Sequence, residues 1–503
     1  MVALFKLIHS LTKTEKRYFK LQFGKQKLKY LVLFDAIDAI AVFDKALIKK
    51  VLLTDKDFEF KNLAVDVNYL YENVLQSQQL FHQNKNANFK IKNRLAHIEI
   101  LYNKGHLDES LKLIKKTKKL IMKYEYFTYV HELSRWEQTI LVNQSSIAKV
   151  LLAVTDNKVL YSKLDELDLL NNYYLEANSF RSNWPKSESN FKELLLKIPF
   201  KGYSSCKSIS AKIKYLQIQQ LYSFLKLDKQ KEYKILMLII SLIKNEFIVF
   251  LEEYPMRYLK IYSRKLYLDL SLFPKNILET SIFFLDLPKK QSRYNERIIS
   301  FSQVYMINFV LSYYIKNEAY QNGAIFIGKI DFNIEKYINK VNQSFLLGTY
   351  YKMCYVYFRN NNFDKSIDYL NLIIQGNSFS EKDDIYLFSQ IFCLIVHYEK
   401  GNYIFVENRM LVIGKLLKKT VIFKGAFEIF FIILKDFIAY KDRIDNGLLD
   451  DILLSLTNEK DKNDLKLIEK YFDIKTWINS KRDNLTLKDN FDPNLVRFDL
   501  LFK

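Results

Sequence analysis

An all-α protein is predicted, an α-solenoid of helical hairpins behind a short N-terminal helical bundle, and three observations predict it. Turn-makers are scarce: 11 Gly and 6 Pro in 503 residues are too few for an all-β or doubly wound α/β chain of this length. Apolar residues recur at helical spacing along most of the chain. A short turn pattern, Gly or Asn followed by a polar and then a bulky residue, returns between apolar helices at three places.

The chain is rich enough in apolar side chains to fold, with 49% hydrophobic and 15% aromatic residues, well outside the range of disordered segments. Its length exceeds what one compact core usually supports, so several domains or a repeat array are expected. Four regions follow from the pattern: a basic N-terminal bundle over residues 1–86, a degenerate repeat region over 87–288, a clearer repeat region over 289–445 and a polar C-terminal cap over 446–503.

Within the first region Thr12-Lys-Thr-Glu15 has the form of a capping box, in which Thr caps the first turn and Glu three residues on reaches back. A longer helix is predicted from about Lys61 to Phe81, because Leu63, Val67, Leu70, Val74 and Phe81 share one stripe. Hairpins begin near Phe89. Three segments superimpose as an internal repeat: LAHIEILYNKGHLDESLKLIKK from Leu95, YKMCYVYFRNNNFDKSIDYLNLII from Tyr351 and FCLIVHYEKGNYIFVENRMLVIGKLL from Phe392. Their turns are Gly105-His-Leu107, Asn361-Asn-Phe363 and Gly401-Asn-Tyr403. Gly and Asn tolerate the left-handed backbone that closes a helix. The bulky residue fills the gap between paired helices, and Ser110 and Ser366, three residues further on, let the backbones approach. Val406 holds that place in the third copy.

From about 140 to 340 the helical period continues without the Gly-aromatic turn. Pro255, Pro274 and Pro288 fall between apolar runs, where they end helices, and a boundary is expected near Pro288-Lys289-Lys290.

This arrangement resembles the tetratricopeptide repeat (TPR) family. The resemblance covers about three hairpins, although the spacing from Phe363 to Tyr403 exceeds the usual period of about 34 residues and the family's proline after the second helix is missing. It implies a right-handed superhelix whose first helices line a groove for a protein or peptide. On that surface lie Lys92, Glu99 and Tyr102 of the first copy, Tyr351, Tyr355 and Arg359 of the second, and Tyr398 and Glu399 of the third. Two roles stay open for them, partner contact and packing between repeats. TPR proteins that clamp chaperone tails use Lys and Asn there, and Tyr351 and Tyr355 depart from that pattern. The start of the chain is also similar to the opening of uncharacterised bacterial helical-repeat proteins, which carries no function.

Net charge is +21 and uneven: 17 basic against 10 acidic residues in 1–100, 18 against 9 in 201–300, and 9 against 9 in 301–400. An excess of this kind suits an anionic partner such as nucleic acid, a membrane surface or an acidic protein. Lys, Asn, Ile, Phe and Tyr are all over-used, the set that A/T-rich codons supply, which accounts for part of the charge without a partner. Two basic stripes stand out. After Thr12, Lys13, Lys16, Arg17 and Lys20 share a face opposite Tyr18 and Phe19; in the first repeat, Lys112, Lys115, Lys116, Lys119 and Lys123 lie opposite Leu111, Ile114 and Ile121. Each stripe is either an ordinary solvated face or an anion-binding one. No recognition helix with base-reading residues at its start is identified.

Catalytic signals are weak. Gly323-Ala-Ile-Phe-Ile-Gly328-Lys329-Ile330 matches a phosphate-binding loop except at its end, but Ile330 has no hydroxyl for magnesium and the segment reads as a buried helix. Six histidines lack metal-ligand spacing, and His397 with Glu399 reads as a helix-face pair. Three distant cysteines, Cys206, Cys354 and Cys393, suggest neither disulfides nor a zinc site and fit a reducing cytoplasm. The charge-free stretch Ile385–Tyr398 is too short to span a bilayer, and MVALFKLIHSLTKTEKR lacks a signal-peptide cleavage site, so no transmembrane segment is expected. The functional expectation is a non-catalytic protein- or peptide-binding scaffold needing no cofactor or metal. The alternative is a nucleic-acid-linked regulator that uses the basic N-terminal helices, with the repeats as a sensor.

Overall fold

A computed structural model describes residues 1–22, 29–53, 60, 62–84, 86–144, 147–183, 185–247, 249–273, 277–289, 296–330, 337, 340–375, 384–417, 424–440, 445–456, 468–469 and 471–482. Among these the protein is entirely helical, with no strand. The predicted start at Lys61, the boundary residue Lys290 and much of the expected C-terminal cap lie outside the described residues. The chain divides into two units: Met1–Leu227 with Ser241–Glu253, and Asp228–Ile240 with Tyr254–Lys503. The division thus falls inside the region read as 87–288.

The first unit opens with α1 (Val2–Ser10), α2 (Lys13–Gln22), α3 (Lys29–Asp38), α4 (Lys45–Leu52) and α5 (Leu63–His82). The capping box forms as its residue types require: Thr12 N–H donates to Glu15 Oε2 at 2.7 Å and Glu15 N–H donates to Thr12 Oγ1 at 3.3 Å. Burial works against the Glu15 carboxylate, yet these bonds and one with His82 Nε2 at 2.8 Å carry its pKa below the usual value. Leu4, Ile8, Phe19, Leu33, Phe34 and Ile37 join Val67, Leu70 and Val74 of the predicted α5 stripe in one core. Then come α6 (Ala87–Asn103), α7 (Leu107–Tyr124), α8 (Val130–Asn143), α9 (Ile147–Ser179), α10 (Glu188–Lys197), α11 (Ile209–Leu225), α12 (Lys229–Glu246), whose halves belong to different units, and α13 (Val249–Glu253). Ile91, Leu95 and Ile98 of α6 pack on Ile114 and Ile121 of α7 and on α8.

The second unit runs through α14 (Pro255–Leu272), α15 (Ile277–Lys289), α16 (Glu296–Lys316), α17 (Tyr320–Lys329), α18 (Gln343–Arg359), α19 (Phe363–Ile374), α20 (Asp384–Glu399), α21 (Tyr403–Leu417), α22 (Lys424–Ala439), α23 (Asn446–Ser455) and α24 (Ile474–Asn479). From α14 to α22 each helix packs on its sequence neighbour, α23 packs on α24, and α14 on α16, α16 on α18, α18 on α20 and α20 on α22 also meet. First helices of successive hairpins therefore form one layer. Pro255 begins α14, where its missing N–H costs nothing.

The three turns carry the backbone the sequence requires, with φ of +78° at Gly105, +57° at Asn361 and +80° at Gly401. In each, the next N–H donates to the carbonyl five residues back, His106 to Leu101, Asn362 to Tyr357 and Asn402 to His397, all at 2.9 Å. This bond satisfies a carbonyl that the helix end leaves open. Ser110 and Ser366 are fully buried between paired helices, Ser366 Oγ donating to Cys354 O across the hairpin at 3.1 Å.

Three further turns escape the sequence pattern because other residues hold the left-handed position: Glu125 at φ +54°, Leu227 at φ +59° and Glu318 at φ +53°. After Glu318, Ala319 N–H donates to Tyr314 O at 3.0 Å, the same closure. Gly323, five residues past Glu318, takes the place of Ser366 five past Asn361. A methyl group on Gly323 would lie 2.9 Å from Val356 Cγ1, so close approach of α17 to α18 accounts for this glycine, and Gly323–Lys329 is helix, not a phosphate loop.

Arg297–Lys316, within α16, is by length and composition long and apolar enough to cross a bilayer. Its charge-free part, Ile298–Ile315, is longer than the stretch Ile385–Tyr398. In the fold 67% of that window is buried against the unit's own helices, as in a core helix.

Candidate functional site

Tyr351 and Tyr355 lie one turn apart on α18 with Arg359 a further turn along, and all three are buried. The sequence puts them, with Tyr398 and Glu399, on an inner face and leaves open partner contact or packing between repeats. In the fold that face is covered by the chain's own residues 471–481. Tyr351 donates its hydroxyl to Tyr471 O at 3.0 Å. Phe472 meets Tyr355, Phe358 and Phe392, with ring centroids 6.3, 5.8 and 5.5 Å away, and Tyr471 stacks on Phe388 at 5.3 Å. Phe430 of α22 touches Phe472 at 6.2 Å, and Phe437 touches Trp477 at 5.4 Å.

The polar end of this contact is at Glu399. Trp477 donates its indole N–H to Glu399 Oε1 at 2.6 Å, Lys481 Nζ donates to Oε2 at 2.7 Å, and the Lys481 ammonium stands 5.5 Å from the Tyr398 ring. The local fold explains the segment's shape: Asp473 caps α24, accepting from Thr476 N–H at 3.0 Å and from Thr476 Oγ1 at 2.6 Å. This start puts Trp477 and Lys481 one turn apart, both within reach of one carboxylate. Sequence reasoning missed Phe472, Trp477 and Lys481; the available signal was the apolar series Ile468, Phe472, Ile474, Trp477, Ile478 inside a polar tail.

Arg359 is 4% exposed, a low value for a cation that forms no ion pair with any described residue. Its guanidinium lies 4.4 Å from the centre of the Tyr320 ring and donates to the Tyr355 hydroxyl at 3.2 Å, while its Nε has no acceptor. Cation–π attraction replaces the usual carboxylate. Lys352, next to Tyr351 on α18, turns to α16: its ammonium meets Asn308 Oδ1 and Ser312 Oγ, both at 2.5 Å. Burial pushes that amine down to about 8.

Burial raises the phenols of Tyr351, Tyr355 and Tyr398 and the thiols of Cys206, Cys354 and Cys393, Cys206 and Cys393 to about 11. None of these groups is set up as a base or nucleophile near neutral pH. No group of three or more His, Cys, Asp or Glu able to hold a metal occurs among the described residues.

The predicted residues of the first unit are less assembled. Lys92 and Glu99 are exposed, with Lys92 6.0 Å from the Phe89 ring. Tyr102 packs on Trp136 at 5.4 Å and accepts from Asn143 Nδ2 at 2.8 Å. The two basic stripes differ. In the N-terminal one Lys16 pairs with Asp38 and Lys20 with Asp35, leaving Lys13 and Arg17 exposed; in the α7 stripe Lys112, Lys115, Lys116 and Lys119 are all exposed.

No family model, curated protein or solved structure matches this sequence.

Proposed function

We propose that this is a non-catalytic, TPR-like helical-repeat protein that binds a peptide segment of a partner across the layer formed by α18, α20 and α22. The observation supporting this is that the layer already holds a peptide-like segment, residues 471–481, by means that would serve a ligand in trans. Aromatic side chains enter between helices, and one carboxylate, Glu399, takes both an indole N–H and an ammonium. In this reading residues 471–481 are a ligand in cis, and the partner carries the same chemistry, an aromatic pair followed by Trp and, four residues on, a Lys. A tethered segment competes at an effective concentration in the millimolar range, so the resting protein is largely closed to outside peptide.

The test is binding in trans. A fluorescent peptide of residues 468–482 is titrated into full-length wild-type chain and into full-length Trp477→Ala and Lys481→Ala chains. The expected result is weak binding to wild type and at least tenfold tighter binding to Trp477→Ala, with Lys481→Ala between them. A peptide with Ala in place of its Trp should not bind. If both variant chains bind the peptide no better than wild type, the segment is an ordinary part of the core and the reading falls.

A further inference from the structure

The α7 helix carries six lysines between Ser110 and Tyr124 and no acidic residue in that span. Five of them, Lys112, Lys115, Lys116, Lys119 and Lys123, are exposed and, at 100° per residue, occupy an arc of about 100°. The opposite side, with Ser110, Ile114, Thr117 and Ile121, is buried. Among the described residues none of Lys112, Lys115, Lys116 and Lys119 has a side-chain partner, and Lys123 meets only the Tyr124 ring, at 5.2 Å. Lys118, on the flank of the same helix, pairs with Glu137, and Lys20 and Lys29 of the N-terminal helices pair with Asp35 and Asp66, each at 2.6 Å.

Acids adjoining the stripe in sequence are placed away from it or engaged. Asp108 and Glu109 lie in the first turn of α7, where Asp108 accepts from Gln144 Nε2 at 2.9 Å. Glu125, just past the helix, accepts the N–H groups of Ile209 and Ser210 at 2.9 and 2.6 Å. From α6, Arg94 reaches the Lys116 carbonyl at 3.1 Å, adding a sixth cation beside the row.

From this geometry we infer that the exposed face of α7 is a docking surface for the phosphate backbone of double-stranded nucleic acid, bound without sequence readout. Lys112, Lys116, Lys119 and Lys123 follow one ridge about 16 Å long at 1.5 Å per residue. A duplex carries one charge per about 1.7 Å of axis, so a row of cations on a helix backbone meets a row of anions of matching length, and only the lysine side chains are ordered on binding. Two alternatives fit less well. The apolar side of α7 is buried within the unit and has nothing to insert into a bilayer. The exposed face carries lysines without a stacking platform for unpaired bases, and without Arg, Asn or Gln to read base edges.

Four neutralised phosphates give a salt slope of about −3.6, an approximately 150-fold loss of affinity between 50 and 200 mM salt. The test uses the full chain and a fluorescein-labelled 20-base-pair DNA duplex, with anisotropy read across that salt range. Lys112→Gln/Lys116→Gln/Lys119→Gln should bind at least tenfold more weakly at 50 mM and flatten the slope to about −0.9. Lys149→Gln/Lys158→Gln/Lys231→Gln removes the same charge from other exposed positions and should keep at least a third of wild-type affinity. Equal losses in the two triple variants, or no duplex binding by wild type, would overturn the inference. So would wild-type binding to phosphatidylserine vesicles or polyglutamate in preference to the duplex. The peptide reading concerns other helices and is untouched by any of these outcomes.

Discussion

The indole N–H of Trp477 and the carboxylate of Glu399 meet at 2.6 Å, which ties residues 471–481 to the last turn of α20. Trp477 is 1% exposed and packs on Tyr398, Phe437 and Phe472. Trp477→Ala should therefore cost about 3–5 kcal/mol by urea unfolding, the range for a large buried side chain. Glu399→Ala, which leaves the indole N–H and the Lys481 ammonium without their acceptor, should cost about 1–3 kcal/mol. Losses below about 1 kcal/mol for Trp477→Ala would show the contact to be marginal.

Gly323 tests the hairpin geometry at α17. A Cβ there would sit 2.9 Å from Val356 Cγ1, closer than packed carbons lie, and in ordinary contact with Tyr314 Cβ at 3.5 Å. Gly323→Ala should destabilise by about 1–3 kcal/mol through overpacking. Val356→Ala in the same chain should recover part of that loss, making the pair non-additive. Additive losses in the double variant would place the strain elsewhere.

Leu227 holds a left-handed backbone at φ +59° with its side chain 79% exposed. Asn accepts that conformation with less strain than Leu, and little packing is lost with so exposed a side chain. Leu227→Asn should raise stability by up to about 1 kcal/mol, read as an upward shift in Tm. A lower Tm would mean that the turn is held by the leucine itself.

These turns also show what the sequence makes legible. Gly105, Asn361 and Gly401 mark their turns because those residue types favour φ above zero, so three hairpins could be read directly. Glu318 and Leu227 adopt the same backbone under tertiary constraint, and nothing in a Glu or a Leu signals it. Apolar period located the α5 stripe and showed α18 and α20 as helices. It could not tell a tyrosine facing a partner from one facing another part of the chain: Tyr351 and Tyr355 were placed on the correct helix, but their cover, some 120 residues on at Tyr471 and Phe472, is a tertiary fact. The α7 lysines were legible as a stripe, but not their lack of acidic partners among the described residues, because such partners come from other helices, as Asp35 and Asp38 do for the α2 stripe.

Lys352 gives the chain a pH dependence of definite sign. Burial lowers its pKa from 10.5 to about 8, so between these values the folded chain holds fewer protons than the unfolded chain. Unfolding free energy therefore rises with pH across that window. At pH 7 the amine is charged in both states and the full desolvation cost, at most on the order of 3 kcal/mol, is present. Lys352→Met should be more stable than wild type by about 1–3 kcal/mol at pH 7, with the difference shrinking to near zero by about pH 10.5. Urea midpoints of the two chains from pH 7 to 10.5 check this; a constant difference would assign the effect to packing instead of charge.

Residues 471–481 act as a ligand in cis only if they leave α18, α20 and α22 without unfolding them. Native-state hydrogen exchange on the full chain measures this directly, by comparing the opening free energies of amides 474–480 with those of α20. The expected result is that α24 opens at several kcal/mol less than α20, as a separate local event, and that added peptide of residues 468–482 increases its exchange while α20 stays protected. If α24 and α20 open together at the same free energy and the peptide changes neither, the segment is an inseparable part of the fold and the account is contradicted.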